Sequence, residues 1–123
     1  MTRERQNKGA RGEQRAVEYL REQGYRILER NYRCPLGEMD IIAREGKTVV
    51  FVEVKTRASD RFGSPQAAIG PQKQHRMTAI ALYYLKAQGL LDGPARFDVA
   101  AVSLGEGGEK VTLYKNAFDA KGF

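Results

Sequence analysis

The chain has one cysteine, Cys34, which excludes an internal disulfide and a cysteine zinc site and fits a reducing cytoplasm. Placed before Pro35, it reads as a half-buried small residue rather than a reactive thiol. The one histidine, His75, falls in a basic helix start and reads as a surface residue rather than a catalytic base. No apolar stretch approaches the roughly 18 residues of a membrane span. The N-terminus Met1-Thr2-Arg3-Glu4-Arg5-Gln6 lacks a signal-peptide core, so a cytoplasmic protein without membrane contact is expected. Internal repeats, low-complexity tracts and linkers are missing too. The glycine-rich stretch Gly105-Glu106-Gly107-Gly108 has no P-loop lysine and reads as a turn inside a hairpin.

What remains is the material for one compact domain with a single core, spanning residues 1–123 with residues 1–8 as a flexible basic arm. Hydrophobic residues make up 41% and charged residues 29%, as in ordinary globular proteins. Lys and Arg number 21 against 15 Asp and Glu, a formal charge of +6, which suits a polyanionic partner. Arg3, Arg5, Lys8, Arg11 and Arg15 crowd the N-terminal part, and Arg57, Arg61, Lys73, His75 and Arg76 form a second group. Their placement on either side of two carboxylate-bearing strands favours phosphate-backbone contact, with Arg11, Arg15 and Lys73 as the candidate DNA-binding residues.

Periodicity predicts a first helix from about Lys8 to Gln23, ended by Gly24, with Ala16, Val17 and Leu20 as its apolar stripe. Glu13 lies on that stripe, either at the edge of the core or aimed at a site. Tyr25 to Arg33 reads as an edge strand, Glu38 to Arg44 as a second strand and Thr48 to Thr56 as a third. After a polar loop containing Phe62-Gly63-Ser64-Pro65, a second helix begins at Pro71 and reaches about Gln88, stopped by Gly89. Its inner face is Met77, Ile80, Ala81 and Tyr84, with Lys73 one turn earlier. Strands over Arg96–Val102 and Lys110–Asn116 follow.

Two segments concentrate the information: Gly37-Glu38-Met39-Asp40-Ile41-Ile42-Ala43 and Phe51-Val52-Glu53-Val54-Lys55. They place three carboxylates and a lysine in strongly apolar strands, where charge is costly unless something compensates it. A turn centred on Glu45-Gly46 sets Asp40 opposite Phe51 and Glu38 opposite Glu53, so that Glu38, Asp40, Glu53 and Lys55 share one face. Met39, Ile41, Val50, Val52 and Val54 share the other. Glu38 facing Glu53 costs a few tenths to about 1 kcal/mol, which a cation or the Lys55 ammonium would remove. A plain salt-bridge network centred on Lys55 is the alternative. Asp98 suggests only a salt bridge to a nearby basic residue.

Phosphodiester hydrolysis needs charge neutralisation, a positioned water and a stabilised leaving oxygen. Magnesium or manganese takes one or two carboxylates plus waters and phosphate, and Asp40 with Glu53 fits that donor set. Lys55, on the same side of the strand as Glu53, supplies a compact ammonium for the water or a phosphoryl oxygen. Asp40 followed by Glu53-Val54-Lys55 matches the PD-(D/E)xK nuclease signature. Together with Gly37-Glu38-Met39-Asp40, Phe51 to Arg57 and Arg96-Phe97-Asp98, the chain resembles the YraN-like family of small bacterial proteins, which is similar to archaeal Holliday-junction resolvases. The resemblance covers Gly9 to about Val102. It departs from the signature in having Gly37-Glu38-Met39 where a proline often stands.

The resemblance implies an α/β restriction-endonuclease-like core: a helix, a three-stranded antiparallel meander, a helix and further strand(s) in a mixed central sheet. It assigns metal-ligating roles to Asp40 and Glu53, the lysine role to Lys55, and a place in the site to Glu13. The function expected is a Mg- or Mn-dependent endonuclease acting on DNA, including branched or recombining DNA, with a homodimer expected by analogy. The competing expectations are a non-catalytic nucleic-acid-binding module that keeps the carboxylates for structure, and a protein–protein adaptor with a merely solubilising basic face.

Overall fold

The computed structural model describes residues 3–57, 69–105 and 107–120, with side chains from residue 9 onward. The elements are α1 (Arg3–Glu22), β1 (Arg26–Cys34), β2 (Gly37–Glu45), β3 (Thr48–Arg57), α2 (Pro71–Ala87), β4 (Ala95–Ser103) and β5 (Lys110–Phe118). The strands form one sheet in the order β1-β2-β3-β4-β5. Pairing is antiparallel except for β3 with β4, which run parallel and are joined by the crossover that contains α2. This is the helix–meander–helix–strand arrangement of the expected α/β core. Arg61, the Phe62-Gly63-Ser64-Pro65 loop and Glu106 lie outside the described residues, as do the side chains of Arg3, Arg5 and Lys8.

Both helices end as their glycines require. Gly24 has φ +92 and Gly89 φ +68. In α1 the Gly24 N–H donates to the Arg21 carbonyl and the Tyr25 N–H to Leu20; in α2 Gly89 and Leu90 repeat the pattern onto Lys86 and Leu85. The start of α1 differs from expectation, since the helix is continuous from Arg3 where residues 1–8 were expected as an arm. Arg3-Glu4-Arg5-Gln6-Asn7-Lys8 is dominated by straight-chain helix formers and contains no stop signal.

The helices cover opposite faces of the sheet. Ala16, Val17 and Leu20 of α1 pack on Ile41, Ala43, Val50, Val52, Ala100 and Val102. Met77, Ile80, Ala81 and Tyr84 of α2 pack on Ile42, Val49, Phe51, Phe97 and Val99. Phe51 meets Tyr84 edge-on at 6.0 Å, and Phe97 stacks on Phe118 at 4.6 Å. β3 is therefore buried on both sides, and each large apolar side chain so buried contributes about 1.5–3 kcal/mol.

The β2–β3 register corrects the expected one. The turn is Gly46-Lys47, with Gly46 at φ +59, and Glu45 pairs with Thr48, Ile42 with Phe51 and Ile41 with Val52. The tight turn settles on the glycine that tolerates positive φ, one position later than expected. The slip is two residues in the pairing, so the assignment of faces survives for Ile41, Val50 and Val52. It does not survive for Met39. That residue joins the α2-side core with Ile42, so the alternation lapses once between them. Glu38 does not oppose Glu53; its partner across the sheet is Arg33 of β1, with which it makes a loose ion pair at 3.7 Å.

At the end of the sheet where β4 starts, Asp98 is fully buried and answers the expectation of a salt bridge. Arg96 Nε donates to Asp98 Oδ1 at 3.0 Å, and Arg96 Nη2 donates to Tyr25 Oη and Glu45 Oε1 at 2.6 and 2.7 Å. Lys115 closes the group on Glu45 at 3.1 Å. The Asn116 N–H donates to the same Asp98 oxygen at 3.0 Å, next to the register shift between β4 and β5.

The closest approach of α1 to the sheet occurs at Gly12, where an added Cβ would stand 1.9 Å from Thr56 Oγ1 and 3.0 Å from its Cβ. Gly→Ala inside a helix normally gains about 1 kcal/mol. Here overpacking costs about 1–3 kcal/mol, so Gly12→Ala should lower stability in chemical denaturation. In a Thr56→Ala background the same change should become neutral or stabilising; persistence of the loss would show that Thr56 is not the obstacle.

Candidate active site

β2 and β3 stay paired through Ile41 and Val52, and beyond that pair a side chain takes over from the ladder. The Val54 N–H donates to Asp40 Oδ2 at 2.8 Å. Asp40 is thereby held between the strands, close enough to Glu53 for that carboxyl to raise its pKa. Glu53 is itself buried, at 7% exposure. Glu53 lies midway along the parallel β3–β4 ladder, opposite Val99.

Burial, the hydrogen bond to Glu53 and the Glu53 charge together push the Asp40 carboxyl up to about 7, against the pull of the Val54 N–H and of Lys73. Two carboxylates in contact in a water-poor place cannot both ionise without compensation. Glu13 of α1 is raised as well, by burial first and then by the charges of Asp40 and Glu38, while Arg30 and a hydrogen bond from Asn31 oppose the rise. Glu13 therefore belongs to the same electrostatic cluster, and its position on the inner stripe is explained by the site. Lys55 lies two residues past Glu53 on the same side of β3, half-buried, and among the described residues it makes no ion pair.

The three residues expected to meet DNA each have a partner within the protein. Lys73 Nζ reaches Glu53 Oε2 at 3.1 Å, which makes it part of the carboxylate cluster. Arg11 pairs with Glu109. Arg15 lies 3.9 Å from Glu18 and 3.7 Å from Glu22. The Lys73–Glu53 pair follows from the geometry of α2: a residue one turn ahead of Met77 on the inner face lands on the charged end of β3.

The sequence reading passed over Gly12 and Asn31. Gly12 stands four residues before Ala16 on the inner stripe, and a glycine inside a helical pattern is itself a signal of close packing. Asn31 adopts φ +51 within β1, which directs its amide to Glu13; nothing in its local sequence announces that conformation.

Among the described residues no group of three or more His, Cys, Asp or Glu side chains is arranged to hold a metal ion. The available donor set is the Asp40–Glu53 pair. Two hard oxygen donors in contact, one of them reluctant to ionise, suit a small divalent cation that keeps most of its waters.

The raised Asp40 sets a pH dependence. In the folded chain Asp40 binds its proton up to about pH 7, whereas an unfolded aspartate releases it near 4. The folded state thus holds more protons between those values, and Asp40 contributes stability that is fully present below about pH 4 and lost as pH rises through about 7. The difference in stability between wild type and Asp40→Asn, measured by urea denaturation without divalent ions, should move toward the variant over that window by at most about 4 kcal/mol. A difference that is flat with pH would mean that Asp40 ionises normally.

The family model described as "Uncharacterised protein family UPF0102" matches residues 12–102. A UPF0102 protein of Syntrophus aciditrophicus is 58% identical over 111 residues, covering 90% of this chain and 87% of that protein. One from Desulfosudis oleivorans is 47% identical over 120 residues, covering 98% and 96%. Among solved structures, that of Pyrococcus furiosus SfsA in complex with Ca2+ aligns at a TM-score of 0.43 and 18% identity, over 86% of this chain and 63% of that one. The match across most of the chain and the high identity of these relatives decide the family: the chain belongs to UPF0102.

Proposed function

We propose that this protein is a divalent-cation-dependent nuclease acting on DNA, with Asp40 and Glu53 as cation ligands. The observation that carries the reading is the buried pair of acids Asp40 and Glu53, each raising the cost of the other's charge, with Glu13 in the same electrostatic cluster. Asp98 offers an internal comparison. It also accepts a backbone N–H from a neighbouring strand, and its charge is met by the Arg96 guanidinium at 3.0 Å. Asp40 performs the same backbone task at 2.8 Å, but its nearest side-chain partner is another acid. An aspartate kept for architecture is given a cation, as Asp98 is; the pairing of acid with acid is costly and fits a place for a ligand.

A magnesium or manganese ion on Asp40 and Glu53 would supply Lewis-acid polarisation of a phosphoryl oxygen and a more acidic water. The chain's own part is to orient Asp40 through the Val54 N–H and Glu53 through Lys73. Lys55 extends its ammonium toward the attacking water or a non-bridging oxygen, and Glu13 accepts a proton or orients water from the α1 side. Arg11 and Arg15 bind phosphate in this reading by exchanging exposed glutamate partners, which costs little because such surface pairs are worth about 0–1 kcal/mol.

A second reading has support of its own. A proton shared between Asp40 and Glu53 satisfies both groups without a cation, and this suits a DNA-binding module in which the pair is structural. A panel of linear, flapped and four-way DNA, incubated with and without manganese, separates the two. The nuclease reading expects manganese-dependent cleavage that falls about a hundredfold or more in Lys55→Ala and disappears in Asp40→Asn. DNA binding with a steep salt dependence, but no cleavage under any of these conditions, would favour the module.

A further inference from the structure

Lys73 joins the carboxylate pair from α2, and its surroundings are specific. Its ammonium is 3.1 Å from Glu53 Oε2, and its charge also acts on Asp40. Glu53 has only 10% of its side chain exposed, against 35% for Lys73. The lysine therefore enters from the solvent side and sets its charge on a pair of buried acids. No other ion pair to Asp40 or Glu53 exists among the described residues. A compact ammonium on a flexible four-carbon stem can occupy such a place and leave it again.

We propose that Lys73 is a resident cation of the carboxylate pair, a positioning residue that competes with the divalent ion for Glu53 and withdraws when that ion binds. The inference rests on the reading of Asp40 and Glu53 as cation ligands. Its physical basis is that one carboxylate cannot be fully engaged by an ammonium and by a divalent ion in the same small space. The lysine holds the pair together before loading, and the divalent ion must displace it, so loading is weaker than the bare carboxylates would allow. Lys73 reaches the pair from α2, whereas Lys55 lies on β3 itself, so the two lysines have separate tasks.

The test is manganese affinity, read by calorimetry and by thermal shift without any DNA. Lys73→Gln keeps a polar group at the position and removes the charge; it should bind manganese about fivefold more tightly than wild type, a change matching the loss of one half-exposed ion pair. Lys73→Arg keeps the charge and should stay near wild type, which a purely structural role would not require. Without metal, Lys73→Gln should melt below wild type, and manganese should restore more of the loss than it adds to wild type. Unchanged or weaker manganese affinity in Lys73→Gln, with wild type binding the ion, overturns the proposal alone and leaves the site intact. If Asp40→Asn binds manganese as well as wild type, or if neither wild type nor Lys73→Gln binds it, the cation site itself fails and the proposal falls with it.

Discussion

The hydrogen bond from the Val54 N–H to the Asp40 carboxylate marks the place where the regular sheet gives way to a site. Up to Ile41 and Val52 the two strands satisfy each other's backbone groups. At 2.8 Å the Asp40 side chain then does for Val54 what a neighbouring carbonyl would have done. Without that acceptor a backbone donor would be left unpaired at the edge of the core, at a cost of about 1–3 kcal/mol. The same bond fixes the direction of the acid and brings it against Glu53. The orientation of the site is thus a by-product of satisfying the sheet.

Two charged clusters on the sheet solve one problem with opposite electrostatics. Asp98, Arg96, Glu45 and Lys115 alternate acid with base around Tyr25, whose ring also lies 5.8 Å from the Arg96 guanidinium carbon and 5.6 Å from the Lys115 ammonium. That cluster is neutralised and closed. In the other, Glu13, Asp40 and Glu53 gather with Lys73 as the contacting base, and the raised proton affinity of Asp40 makes up the deficit. Electrostatic compensation is complete where the protein needs only rigidity and incomplete where a ligand is expected.

Much of this was legible in the residues. Helix stripes, glycine stops and strand limits followed from spacing and turn chemistry, because each is decided within a few positions of the chain. The shared face of Glu53 and Lys55 holds in either register, because a slip by two residues leaves side chains on the same face. Met39 was misplaced because nothing in the local sequence signals the lapse in alternation beside Asp40. The role of Lys73 was hidden likewise. A basic residue at a helix start reads as solvent-facing until the crossover places it over β3.

The parallel pairing of β3 with β4 has a consequence for assembly of the chain. The β1–β2–β3 meander can form from local contacts, but closing β4 against β3 requires the whole crossover to be organised first, with its loop-closure entropy. Glu13, Asp40 and Glu53 come from α1, β2 and β3, and Lys73 arrives only with the crossover helix. Without the crossover docked, the three acids would lack the Lys73 ammonium, so their mutual repulsion weighs against a compact meander until α2 is in place.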